Sequence, residues 1–269
     1  MTKLPSIPFH VDNPIWKHPP ADLHCDLEGI HLWLLDCARQ GPDAAAMLDD
    51  AERVRASRFL SASKRARFIE AHAQLRRILA AYTAVDPKEL VLSHSSEGKP
   101  RIAAPEEFSS LHFNLSHSED LALLAVARLE VGVDIELIRD TVRSCRLARL
   151  ILGAGESEHL LRLPENEMNL VFHLHWTLRE AFCKARGKGI LSLLGNAVSL
   201  TRTQGPFVGM DAAPPDGTEL YARALFPLPG YVGAVAAPGR EWDLMCYAAP
   251  GGLDRIAMIA PVTSKTLAR

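Results

Sequence analysis

Residues 131–136 read Val131-Gly132-Val133-Asp134-Ile135-Glu136, an alternation of apolar side chains with one glycine and two carboxylates. Strand side chains alternate faces, so the valines and the isoleucine are predicted to face a core while Asp134 and Glu136 share the other side. Two residues of strand advance about 6.6 Å, so both carboxylates can lean onto one cation. Gly132 removes a side chain beside them and leaves room for a ligand to approach the backbone. The second chemical segment is Trp176-Thr177-Leu178-Arg179-Glu180-Ala181-Phe182-Cys183-Lys184. It reads as a helix with Leu174, Leu178, Ala181, Phe182 and Ala185 on its buried face, which makes Glu180 and Lys184 i,i+4 neighbours on another face. Three carboxylates, Asp134, Glu136 and Glu180, form an oxygen-rich set suited to magnesium holding a phosphate, and Lys184 adds a positive charge for that phosphate. Each segment alone has a plainer reading. Outward acids are common on a half-solvated strand, and an exposed Glu–Lys pair contributes only about 0.2–0.5 kcal/mol.

These residues need a frame, and the hydrophobic pattern supplies one. Residues 1–28 look irregular. A short apolar run at 30–35 predicts a strand, and 43–58 predicts a helix capped by Asp43. Phe68, Leu75, Ile78, Leu79 and Tyr82 fall at helical spacing within 63–82. A strand at 90–93 precedes the turn Gly98-Lys99-Pro100. The runs 121–127 and 131–137 predict a hairpin. Helices follow at 141–152, 155–162 and 168–186, then strands at 220–225, 231–236 and 242–247. Helices beside antiparallel strands in both halves predict the α+β class.

The 269-residue chain is long enough for one large domain or two small ones. With 48% hydrophobic and 23% charged residues it has the composition of a globular protein. A net charge of −2 argues against a general nucleic-acid binder. Cys25, Cys37, Cys145, Cys183 and Cys246 form no CxxC pair, which argues against a zinc site or disulfide framework and for a reducing cytoplasm. No apolar run approaches the ~18 residues of a membrane span. His173 and His175 are two apart on a helix and point away from each other, so they do not chelate together.

Five ordered segments together resemble the 4'-phosphopantetheinyl transferases, specifically the larger, two-halved, surfactin-synthetase-activating type. Gly132-Val133-Asp134-Ile135-Glu136 is similar to the family's Gly-(Val/Ile)-Asp-x-Glu strand. Residues 176–184 are similar to its (Trp/Phe)-(Ser/Thr/Cys)-x-Lys-Glu-(Ala/Ser)-x-x-Lys helix, with Arg179 where the family usually has Lys. Gly98-Lys99-Pro100, Phe113-Asn114-Leu115-Ser116-His117-Ser118 and Gly187-Lys188-Gly189 match further family segments. The resemblance covers residues 30–200 best.

The resemblance implies a pseudo-dimer of two similar halves with the active site between them, residues 1–128 contacting the nucleotide and 129–269 holding the magnesium and catalytic residues. The helix at 63–82 would then be the counterpart of the helix at 168–186. It implies transfer of phosphopantetheine from coenzyme A to a serine of an apo acyl, peptidyl or aryl carrier protein, by a cytoplasmic monomer. Magnesium would rest on Asp134, Glu136 and Glu180. Glu180 would take the serine proton, directly or through a water on the metal. Lys184 would contact the diphosphate, and Asp134 would also touch coenzyme A. Among the cations of 53–77, most read as a solvated helix face. Arg55 is the best match for a 3'-phosphate contact, with Arg53 next. Lys99 would contact the nucleotide, and Ser116 and His117 would lie at the 3'-phosphate. Arg139, Arg143, Arg146 and Arg149, interleaved with Leu147, Leu150 and Ile151, either dock the carrier or belong to an ordinary amphipathic helix. Two alternative activities stay open: a non-catalytic coenzyme A or nucleotide binder, and a metal-dependent phosphohydrolase.

Overall fold

The computed structural model describes residues 7, 9–96, 98–139, 148, 151, 152, 154–189, 199–210 and 217–250. It divides into two compact units, each built from two stretches of chain. One comprises Ile15–Leu129 with Trp242–Arg269, the other Met1–Pro14 with Glu130–Glu241. Along the chain the units change over after Pro14, Leu129 and Glu241. Both units mix helices with sheets, so the α+β class holds.

In the first unit, Leu121–Ala127 (β6) is buried along its whole length. A strand apolar on both faces belongs inside a sheet. It pairs antiparallel with Ile30–Asp36 (β2) on one side and His112–Ser118 (β5) on the other. Leu244–Ala248 (β12) extends this sheet by pairing parallel to β2. The long helix Ala62–Thr83 (α3) covers one face. Its Leu75, Ile78 and Leu79 join Trp33, Phe113 and Leu124 in one core, as the helical spacing predicted. Val91–His94 (β3) and Pro100–Ala104 (β4) form a separate hairpin. Its turn closes with the Ser95 amide donating to the Lys99 carbonyl at 2.8 Å, and Gly98 takes φ +88°. That left-handed value favours glycine.

The helix expected over 43–58 is two helices, Ala44–Met47 (α1) and Asp50–Ser57 (α2). Asp43 makes no side-chain cap bond. Asp49 caps instead: its side chain accepts from the Glu52 amide at 2.8 Å, and Glu52 accepts from the Asp49 amide at 3.1 Å. This reciprocal box restarts the helix six residues later than the Asp43 signal. The same two carboxylates hold Arg76 of α3, whose side chain is 0% exposed. Arg76 donates to Glu52 at 2.7 Å, Asp49 at 2.6 Å and the carbonyls of Pro87 and Leu90 at 3.0 and 2.9 Å. It is no part of a solvated basic face. Burial pushes the Glu52 carboxyl up, but His72 and Arg76 together outweigh it and hold it below the usual range.

In the second unit, Gly132–Leu137 (β7), Leu200–Arg202 (β8), Val208–Met210 (β9), Leu220–Leu225 (β10) and Tyr231–Pro238 (β11) form a sheet ordered β7-β11-β10-β9-β8. Val11–Asp12 (β1) pairs parallel to the end of β10. The helices Ala154–Leu161 (α4) and Glu165–Ala185 (α5) lie in this unit as well. The hairpin expected from 121–127 and 131–137 does not form. β6 already has two neighbours, and β7 pairs with β11 in the other sheet. The linker Arg128-Leu129-Glu130 lacks the Gly or Asn that a tight hairpin turn needs. The strand expected at 242–247 exists as β12 but belongs to the first unit. The strands β1, β4, β5, β8 and β9 had not been read from sequence. The helix expected at 141–152 falls mostly outside the described residues. Among the described residues, no helix is long and apolar enough to cross a membrane.

The Arg76 network generates a stability prediction. Arg76→Leu leaves Glu52 and Asp49 without their shared cation, so it is expected to cost about 3–5 kcal/mol. Urea unfolding of wild type and variant reads this directly. A loss below about 1 kcal/mol would mean that the network contributes no more than a surface pair.

Candidate active site

Gly132, Asp134 and Glu136 share the face of β7 that meets α5. Leu174, Leu178, Ala181, Phe182 and Ala185 are all buried against Ala222 and Ala224 of β10 and Val232, Ala234 and Ala236 of β11. This is the helix face predicted from periodicity. Small residues along the strands let the helix lie close. It lies closest at Gly132. A Cβ there would fall on the Ala181 carbonyl oxygen and the Ala185 amide nitrogen, and 2.9 Å from Ala185 Cα. The glycine therefore admits the helix backbone, where a ligand had been expected.

That approach brings the chemistry together. Asp134, 3% exposed, lies opposite Ala234 in the register. Lys184 Nζ donates to Asp134 Oδ1 at 2.7 Å. Glu180 stands one helical turn before Lys184. Burial, and then the charge of Asp134, raise its carboxyl above the usual range, while Lys184 opposes the rise. Glu136 is half-buried two residues farther along β7, opposite Val232. Among the described residues no three His, Cys, Asp or Glu side chains form a ready-made metal group. The donor set nevertheless fits magnesium. All three candidates are carboxylates, and Asp134 and Glu180 repel each other with one ammonium beside them, an imbalance that a hard cation relieves.

Arg179 behaves differently from its neighbours. It is 0% exposed and donates to Glu156 of α4. Its Nη1 also approaches His175 Nδ1 at 3.1 Å. Burial first, then the charges of Arg179 and His159, hold His175 down to about 3, so its ring is neutral. Glu156 in turn accepts from the Leu200 amide at 3.2 Å. Arg179 thus fastens α5 to α4 and to the start of β8, a role the sequence reading missed. His173 bonds the Asn169 carbonyl at 2.7 Å.

The other candidates lie in the first unit. Arg55 is exposed on α2 with its guanidinium 5.3 Å from the Phe68 ring centre. Arg53 pairs with Asp50 at 2.6 Å. Lys99 sits in the β3–β4 turn, its amide donating to Ser95 Oγ at 3.1 Å. Ser116 is buried and His117 exposed, on adjacent positions of β5. Of the arginines considered for a carrier, Arg143, Arg146 and Arg149 lie outside the described residues, and Arg139 is exposed just after β7.

A family model described as the 4'-phosphopantetheinyl transferase superfamily matches residues 130–234, and one described as 4'-phosphopantetheinyl transferase, N-terminal, matches 38–129. The chain is 36% identical over 193 residues to the 4'-phosphopantetheinyl transferase HetI of Nostoc sp., spanning 70% of this chain and 81% of that protein. The chain belongs to the 4'-phosphopantetheinyl transferase superfamily. Within it, the chain is 28% identical over 163 residues to the transferase Sfp of Bacillus subtilis, covering 61% of this chain and 70% of Sfp. It is 37% identical over 112 residues to the transferase AcpT of Escherichia coli, covering 41% and 55%. The resemblance read from the motifs is borne out, and the type is that of Sfp and HetI. The two transferase models meet at 129/130, where the two compact units also change over.

Two predictions follow from the helix–strand contact. Gly132→Ala pushes a methyl into rigid helix backbone, so it is expected to cost at least ~1–3 kcal/mol in urea unfolding; an unchanged midpoint would show that α5 has room to retreat. The Glu180 carboxyl titrates under two opposing neighbours. Removing the cation with Lys184→Met is expected to raise its midpoint further, and removing the repelling charge with Asp134→Asn to lower it. Carbon-13 NMR of the carboxyl over a pH series gives both signs, and a shift in the wrong direction for either variant refutes the coupling.

Proposed function

We propose that the protein transfers the 4'-phosphopantetheine group of coenzyme A to a serine hydroxyl of an apo acyl, peptidyl or aryl carrier protein and releases 3',5'-ADP. The observation that carries this reading is the convergence of Lys184 and Glu180 from α5 on Asp134 of β7. The transfer is a displacement at phosphorus, so the protein supplies mainly position and charge. The serine oxygen forms a bond to the β-phosphorus of coenzyme A as the bond to the ADP oxygen breaks.

Glu180 takes the serine proton. Its carboxyl is raised above the usual range, the direction that strengthens a base. Lys184 holds a diphosphate oxygen and steadies Asp134. Asp134, Glu136 and Glu180 are the residues that would hold magnesium, which supplies charge neutralisation at the diphosphate. Arg55, Lys99, Ser116 and His117 hold the nucleotide and its 3'-phosphate. The reading carries the family's paired-halves plan, with nucleotide contacts from the N-terminal half and metal and catalytic groups from the C-terminal half. It also carries a cytoplasmic monomer with neither nucleic-acid nor membrane partners.

Mass spectrometry of an apo-carrier incubated with coenzyme A and magnesium tests the reading; the carrier is expected to gain one phosphopantetheine. Consumption of coenzyme A without a carrier would favour a phosphohydrolase. Asp134→Ala and Glu136→Ala are expected to abolish transfer. Glu180→Gln is expected to lower turnover by roughly 10²–10⁴-fold with little effect on coenzyme A affinity. Lys184→Ala is expected to weaken both. A Glu180→Gln enzyme with normal single-turnover rates would remove Glu180 from the role of base.

A further inference from the structure

The β5–β6 connection presents two carboxylates next to a strand end assigned above to an anion. Ser118 pairs with Leu121, so Glu119 and Asp120 are the whole turn. Two-residue hairpin turns require positive φ, which Asn and Gly adopt readily. Here Glu119 adopts it, at φ +51°. An outside group holds this turn. Arg67 of α3 donates from Nη1 to Glu119 Oε2 at 2.8 Å and from Nε to Asp120 Oδ1 at 2.8 Å. The Asp120 carbonyl also accepts from the Cys37 amide at 2.7 Å. All three charged side chains are partly exposed, at 25%, 33% and 37% for Arg67, Glu119 and Asp120. His117 lies two residues before the turn. By strand alternation it shares the face of Phe113 and Leu115, which is the face α3 covers. Arg67 and His117 are therefore on the same side of the sheet, at the same end of β5.

We infer that Arg67 is a positioning residue for recognition of the nucleotide's 3'-phosphate. It neutralises the acidic turn and fixes its shape, so that a phosphate dianion can approach His117 without meeting two free carboxylates. The inference rests on the proposed contact between His117 and the 3'-phosphate. Partly exposed charges act through screening solvent, so the effect should depend on ionic strength.

The test compares binding of coenzyme A with that of dephospho-coenzyme A, which lacks the 3'-phosphate, by calorimetry at low and high salt. Wild type is expected to prefer coenzyme A by at least roughly tenfold. Arg67→Gln is expected to lose most of that preference at low salt while binding dephospho-coenzyme A as wild type does. Adding Glu119→Gln and Asp120→Asn to Arg67→Gln is expected to restore the preference, which a merely structural role for Arg67 would not produce. An Arg67→Gln protein that weakens for both ligands alike, or a triple variant that recovers nothing, overturns the inference. A wild type that binds the two ligands equally overturns the 3'-phosphate contact itself and the inference with it. A wild type that discriminates while Arg67→Gln discriminates equally leaves that contact standing and removes Arg67 alone.

Discussion

Everything the second unit contributes depends on how closely one helix can approach one strand. The chemistry-bearing atoms of α5 and β7 meet because Gly132 offers no Cβ to the backbone at Ala181 and Ala185. Close packing at that point fixes the height of the helix above the sheet. Lys184 then lies within hydrogen-bond reach of Asp134, and Glu180 within its field. Buried carboxylates tolerate such proximity only with a cation at hand, which is why the ammonium and the acids belong to one arrangement. The raised carboxyl of Glu180 follows directly from this geometry.

The parts of this arrangement that were legible in sequence are the periodic ones. Alternation at 131–136 identified the shared face of Asp134 and Glu136, and helical spacing identified the buried face of α5 residue by residue. Periodicity describes one segment at a time, and it fails where a partner decides. It could not say whether a ligand or a helix would fill the space at Gly132, although Ala181 and Ala185 at i,i+4 were a usable sign of a helix seeking a close neighbour. The false hairpin arose because β6 and β7 are adjacent apolar runs, while the full burial of β6 on both faces already demanded two other neighbours. The split of 43–58 was encoded by Asp49 and Glu52 at capping-box spacing, a signal outweighed by the more obvious start at Asp43.

Charged residues were the least legible. Arg67, Arg76 and Arg179 each look like surface cations in sequence, yet two are completely buried and the third holds a turn. Their carboxylate partners stand between 23 and 53 residues away, where no local pattern points. A buried guanidinium requires several acceptors at once, and only the folded chain reveals them. Arg179 also shows the limit of reading a motif by type. Its charge is conserved relative to the expected Lys, but its planar fork is satisfied by Glu156 and His175 within the protein.

The two buried arginines share a further property. Arg76 in α3 binds Glu52 from the short helix before it, and Arg179 in α5 binds Glu156 from the short helix before it, with separations of 24 and 23 residues. A side chain pinned so firmly sets the rotational phase of its helix, because each following residue is then displaced by a fixed angle of about 100°. In α5 the next position is Glu180, turned toward Asp134. In α3 it is Arg77, which reaches Glu70 at 3.8 Å. The same key is cut into both long helices, and the single residue after it decides whether the helix presents an acid to a site or a cation to its own surface.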